Sequence, residues 1–329
     1  MFELLEKLCM TPGPSGCEKQ IRELIEKEIS PFVDSVETDV MGNLIAHKKG
    51  NGKKLMFAAH MDEIGLIATC HGEKGQVYVA GLGGVDPYAS LYQRVQFLNG
   101  AQGVVAPDGK ADLLKDLKLG QLYVDVGAKC EEEAKELVAV GEAGVFVGDF
   151  YEQNGCVISK AMDNRVGCFV LMEAIRRMKK HQNDLYFVFT TSEEVGLRGA
   201  KTSVHTVEPD YAVVLDVTRA GDIPSAEKVA LEMKKGVVIK VMDRGFIAHP
   251  IVNDRMVTLC KERNILYQMA ALANGATDAG AIHLSGGGVP TGCIAFPLRY
   301  MHTTGETVAK SDIENAIDLT TVLIEEGII

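Results

Sequence analysis

Apolar side chains recur at helical spacing near the start of the chain. Leu4, Leu5 and Leu8, then Ile21, Leu24, Ile25 and Ile29, lie three or four apart, so each set lines one helix face. This predicts helices over 3–10 and 17–29, separated by a TPGPSG turn at 11–16. Looser alternation over 36–47 predicts strand, with a turn at Met41-Gly42-Asn43. The apolar run at 55–59 predicts a buried strand that leads into another over 63–69.

From about 70 to 158 the pattern changes. Short β runs at 77–79, 95–97, 104–105, 122–126, 145–147 and 156–159 are broken by glycines, with one helical run at 131–138. Many short strands with turn signals predict a small β barrel or sandwich. After 160 helix and strand alternate again. Helices are predicted over 163–180, 249–263 and 311–325, with another ending at 282–284, and strands over 185–190, 211–216, 230–241 and 291–297. An all-β stretch between two α/β stretches implies one discontinuous α/β domain, 1–67 and 159–329, carrying an inserted β domain, 68–158.

Composition narrows the function. A chain of 329 residues, 47% apolar and 24% charged, can build a large core. Its net charge of −11 argues against nucleic acid as a partner, because phosphate binding needs clustered Lys and Arg. The longest apolar stretches, 185–189 and 212–215, fall far short of the ~20 residues of a membrane span. The opening MFELLEKLCM puts acids where a signal peptide needs a basic region, so a cytoplasmic chain is expected. Eight cysteines without a CxxC pair are expected to be small buried hydrophobes rather than a disulfide framework.

Ligands of open α/β sheets gather at the carboxyl ends of strands. Metal-capable side chains follow apolar runs there five times: His60 with Asp62, Asp163, Glu193 with Glu194, Asp216, and His302. Each has a plainer reading alone: His60 as a core histidine, Asp163 as a helix cap, Glu193-Glu194 as a solvated pair, Asp216 as a turn former. Recurrence at one edge favours the chemical reading. His60 and Asp62 are two apart, so in extended chain both face one side and Asp62 can fix the tautomer of a metal-bound His60. Two imidazoles with three carboxylates and a spare Glu suit two divalent ions, Zn²⁺ first, with Co²⁺ or Mn²⁺ acceptable. Neither GxSxG nor GxGxxG occurs, and SGGGV at 285–289 lacks a following GK[ST], which argues against a serine hydrolase or a nucleotide site. Other di-metal amidases (carboxypeptidase, deacylase) and a glycosidase using Glu193 with a partner acid remain open.

AAHMDEIG (58–65), KAMDNRVG (160–167), TTSEEVGLRGA (190–200), VVLDVT (213–218) and RYMH (299–302) resemble, in order and spacing, the glutamyl and deblocking (tetrahedral) aminopeptidases. These are co-catalytic di-metal exopeptidases. The resemblance implies a zinc-exopeptidase-like α/β domain, a mixed sheet with helices on both faces, plus an inserted small β-barrel domain that mediates dimer and dodecamer contacts. It implies Asp163 as bridging ligand, His60 and Asp216 completing one site, and Glu194 and His302 the other. Glu193 resembles the general base that activates a metal-bridging water, and Asp62 the partner of His60. Substrates would be peptides with a free N-terminus. Thr303-Thr304-Gly305-Glu306 replaces the usual Ser-Pro-Val-Glu, which predicts a looser turn behind His302. Gly236-Val237-Val238 replaces a usual Gly-Pro on the substrate side. For the first-residue preference, Arg219 and Arg244 are the candidate pocket cations, and the sequence places neither.

Overall fold

The computed structural model describes residues 2–109, 111, 113, 115–224 and 229–329. A 12-stranded mixed sheet forms the main body. Its centre is four adjacent parallel strands in the order Asp184–Thr190, Lys54–His60, Tyr211–Arg219 and Thr291–Arg299. Antiparallel strands extend both sides: Leu44–Lys48 and Ser35–Thr38 at one edge, Glu306–Ala309, Cys156–Ser159 and Tyr151–Gln153 at the other, with Val237–Asp243 also pairing Thr291–Arg299.

The central strands are apolar on both faces because helices cover both. Leu55, Phe57 and Ala59 point to one side, with Val213, Leu215, Ile294 and Phe296. There they meet helices Glu3–Met10, Lys19–Ile29, Met162–Arg177, Pro250–Arg263 and Lys310–Glu326. Met56, Ala58, Ala212, Val214, Cys293 and Ala295 point to the other, against the shorter helices Arg198–Val207 and Ala279–Ile282. Large side chains thus fill the thick layer and small ones the thin layer.

Six strands, Gly65–His71, Gln76–Leu82, Arg94–Phe97, Gln102–Pro107, Leu122–Asp125 and Ala143–Phe146, close into an antiparallel barrel. Alternate residues such as Leu66, Val77, Val95, Phe97, Leu122 and Val124 fill it. The barrel leaves the main sheet just after His60–Glu63 and returns ahead of Asp163.

Several expectations change. The strand at Cys156–Ser159 joins the main sheet rather than the barrel. The helix expected from 163 spans Met162–Arg177, and Asp163 and Asn164 at its start are not helical. Strand over 230–241 narrows to Val237–Asp243, because the glycine at 236 carries a φ of +96° that turns the chain into it. Helix Arg198–Val207 and strands Tyr267–Ala271 and Glu306–Ala309 were not foreseen. Of the cysteines, Cys9, Cys168, Cys260 and Cys293 are buried as expected, but Cys17 and Cys70 are exposed. Among the described residues no helix is long and apolar enough to cross a membrane.

Candidate active site

Parallel register assembles the first half of the site. Thr190 lies opposite His60. Ala58 lies opposite Val214, so two residues on His60 meets Asp216 on the same face. His60 is 2% exposed and Asp216 4%. Asp163 reaches them from the turn ahead of its helix, where Ala161 has φ +55° and the Asp163–Asn164 bond is cis. Asn164 is pinned there through Nδ2 to the Leu215 carbonyl at 2.8 Å. The Asp163 carboxylate caps no helix; it divides between the two imidazoles. Its Oδ1 lies 3.1 Å from His60 Nε2 and its Oδ2 3.5 Å from His302 Nε2. Asp216 Oδ1 stands 3.7 Å from His60 Nε2, and Glu194 Oε1 3.2 Å from His302 Nε2.

The loop after Asp184–Thr190 carries Glu193 and Glu194. Asn43 fixes its start by accepting from Thr191 N at 3.0 Å and donating to the Gly199 carbonyl at 3.1 Å. Strand Lys54–His60 ends at His60, so Asp62 lies beyond the extended segment expected to carry it, yet it serves the site more widely than expected. One oxygen accepts from Glu193 N at 3.0 Å and stands 3.4 Å from His60 Nδ1. The other accepts from Ser15 Oγ at 2.6 Å and Glu194 N at 3.3 Å. The Asp62–His60 approach lacks hydrogen-bond alignment, and Nδ1 has no other partner.

His302 is held from three directions. Its Nδ1 donates to the Gly84 carbonyl of the barrel at 2.9 Å, which leaves Nε2 facing the acids. Its backbone N–H donates to Glu306 at 2.7 Å. The turn behind it needs no proline, because Thr303 Oγ1 donates to the Tyr300 carbonyl at 2.7 Å and accepts from Gly305 N at 3.2 Å.

Charge in this cluster is out of balance. Burial alone would lower His60, but Asp163, Asp216 and Asp62 hold it well above the usual imidazole value. Burial likewise opposes His302, yet Asp163 and Glu194 push it up to about 11. Burial opposes ionisation of Asp163, but the two imidazoles keep it below the usual carboxylate range. Glu193 is pushed well up by burial, against the pull of His60 and with the push of Asp216, Asp278 and Glu194. Glu194 moves up for the same first reason. Four acids crowd two imidazoles here, a set that calls for positive charge. His60, Asp163 and Asp216 can place ligand atoms within 4.8 Å of one another, and so can Asp163, Glu194 and His302. Two triads sharing one carboxylate, without thiolate, fit a pair of divalent ions. Among the described residues Glu193 groups only with His60 and Glu194, each already used.

A cavity of about 520 Å³ opens over these residues. All six of His60, Asp163, Glu193, Glu194, Asp216 and His302 line it, and Asp62 lies beneath. Its further wall is Val217 to Arg219, Val229, Lys240, the segment 271–276 and Met301. Arg219 is on this wall; Arg244 is not, and its backbone N–H donates to Gly275. Three contributors escaped the sequence reading. Lys240 is 3% exposed and stands 3.5 Å from Asp243; a lone charge within VVIKVM was its signal. Asp278 accepts from Thr190 Oγ1 and leaves Oδ1 without a partner, and burial pushes it up to about 7. Glu306 is buried below Asp163 and His302.

The sequence profile of the family described as M42 glutamyl aminopeptidase matches residues 42–319. A chain of Acetivibrio thermocellus, named as a candidate aminopeptidase, is 47% identical, with 97% of each chain covered. The lysyl aminopeptidase of Pyrococcus furiosus is 32% identical, over 99% of this chain and 97% of its own. Among solved structures, a TET1 peptidase of Pyrococcus horikoshii, which can assemble into a tetrahedron or a large octahedral shell, superposes with a TM-score of 0.87. It is 31% identical, with 99% of both chains covered.

Proposed function

The chain belongs to the M42 glutamyl aminopeptidase family, a metal-dependent aminopeptidase by that membership, and we propose how its residues divide the work. The two triads sharing Asp163 carry the reading. His60, Asp163 and Asp216 hold one ion and Asp163, Glu194 and His302 the other, with Zn²⁺ preferred and Co²⁺ or Mn²⁺ acceptable. When bound, such ions polarise the scissile carbonyl and lower the pKa of a water toward ~7. Glu193, the acid left over on the cavity wall, takes the proton from the attacking water and delivers it to the leaving amine. Asp62 holds the backbone of Glu193 and Glu194 and faces His60, so it positions rather than reacts.

The wall also bears on the first residue. The cavity's carboxylates all belong to the ion cluster. Away from it the charged groups are Arg219, exposed and without an ion-pair partner among the described residues, and Lys240. Lys240 is already paired with Asp243, so Arg219 is the cation that favours an acidic N-terminal side chain and disfavours lysine. The inserted barrel is the oligomerisation domain in this reading. It exposes Tyr88, Tyr92 and Val140, with Tyr92 64% accessible, and contacts between copies would cover such side chains.

A panel of Glu-, Leu- and Lys-para-nitroanilide with N-acetyl-Glu-para-nitroanilide tests this. Expected are cleavage of free-amine substrates only, loss on chelation, and a Glu rate above the Lys rate that falls in Arg219→Ala. Equal cleavage of the acetylated substrate favours another amidase, and activity indifferent to chelation overturns the reading.

A further inference from the structure

We infer that Glu306 is a positioning residue of the active site, setting the spacing between Asp163 and His302. It is 2% exposed and opens the strand Glu306–Ala309, opposite Ser159 in the neighbouring strand. Its two oxygens are divided. Oε1 accepts from the backbone N–H of His302 at 2.7 Å, and Oε2 from that of Asp163 at 3.1 Å. Both donors belong to residues whose side chains form one candidate ion triad with Glu194.

A carboxylate is suited to this task in a way that its isosteres are not. It offers two acceptor oxygens in a rigid fork, so one group can take N–H bonds from two separate segments. One of those segments is the turn after Cys156–Ser159, and the other follows Thr291–Arg299. No lysine, arginine or histidine side chain among the described residues forms an ion pair with Glu306. Glu306 therefore acts through the pair of backbone bonds it accepts rather than through an ion pair. His302 has φ +63°, a backbone conformation that L-residues rarely hold unless the surroundings enforce it. The bond to Oε1 is part of that enforcement.

Glu306→Gln keeps size and shape but turns one acceptor into an amide NH2 donor that faces an N–H. Competition titration of the metal-free protein with Zn²⁺ should show affinity at one site reduced roughly 10- to 100-fold. The visible spectrum of the Co²⁺-loaded protein should change shape. Raising the metal concentration should recover kcat, with KM unchanged. Amide exchange at Asp163 and His302 should speed up, while the melting temperature of the metal-free chain moves little. Unchanged Zn²⁺ affinity and an unchanged Co²⁺ spectrum in a folded Glu306→Gln overturn the inference. Should that variant not fold, Glu306→Asp keeps both oxygens on a shorter arm. The same loss of affinity is expected there, and parental affinity overturns the inference equally.

Discussion

Glu193 differs from the five acids and imidazoles around it in belonging to neither triad that shares Asp163. Glu193→Gln should therefore lower kcat by at least ~10²–10⁴-fold while bound metal per chain, read by atomic emission, stays as in the parent. Loss of metal along with activity would instead make Glu193 a ligand. Asp62→Asn should act less directly. One oxygen now accepting from Glu193 N or from Glu194 N becomes an amine, so the loop bearing both shifts. A fall in both metal affinity and kcat is expected, measured by titration and steady-state rates. At this scale the clustering of His60, Asp62, Glu193, Glu194, Asp216 and His302 was legible, because strand ends in a parallel sheet collect side chains at one edge, while Asp163 joins them from the turn after an antiparallel strand. Lys240, Asp278 and Glu306 were not. Lys240 enters from an antiparallel neighbour, Asp278 from a four-residue helix, and Glu306 acts on backbone amides that no residue pattern records.

Helix Arg198–Val207 presses its first turn against the loop that precedes it, and Gly199 is the point of contact. A Cβ there would lie 2.2 Å from Asn43 Oδ1 and 2.5 Å from the Thr191 carbonyl. Gly199→Ala should destabilise by about 1–3 kcal/mol in urea unfolding and lower activity as well, since the displaced loop carries Glu193 and Glu194. A second element-level contact gives a pH dependence. Arg299, at the end of its strand, donates to both oxygens of Asp222 at 2.9 and 2.6 Å and holds that carboxyl below its usual range. A carboxyl depressed in the folded state stabilises above its unfolded pKa, and that stability is lost as pH falls through the depressed value. Asp222→Asn should cost about 1 kcal/mol at neutral pH, with the difference from the parent shrinking as pH falls below the usual carboxylate range. Thermal melts of both proteins across pH would show it. Long periodic elements were readable from the sequence, whereas Tyr267–Ala271 and Glu306–Ala309 were too short to show a period. Helix Arg198–Val207 was hidden behind its glycine and β-branched residues, which read as a turn.

The whole molecule is organised around two passages between sheet and barrel. The chain goes out through His60–Glu63 and comes back at 147–150 into the paired strands Tyr151–Gln153 and Cys156–Ser159, which deliver Lys160 and Asp163, so both branches lead to site residues. Glu63 and Lys160 join them at 2.6 Å, and Arg165, fully buried, ties Glu63 to the Leu8 and Thr11 carbonyls of the opening turn. Ions held there would bind the native chain alone, contributing about 2.7 kcal/mol per site at a hundredfold excess over Kd. Chelation should accordingly lower the melting temperature by several degrees, reversed by Zn²⁺; an unchanged melt would argue against a stably loaded site. Light scattering should return a mass well above 35.6 kDa if the barrel joins copies of the chain.

Gly84 at the barrel's rim holds the ring of His302, which makes the barrel a workpiece clamp for the chemistry. A splice that closed the chain between Glu63 and Gly148 could leave every ligand in the sequence and still spoil the enzyme. The imidazole would be free to swivel, its far nitrogen no longer aimed, and the excised module would have taken the catalyst's alignment with it.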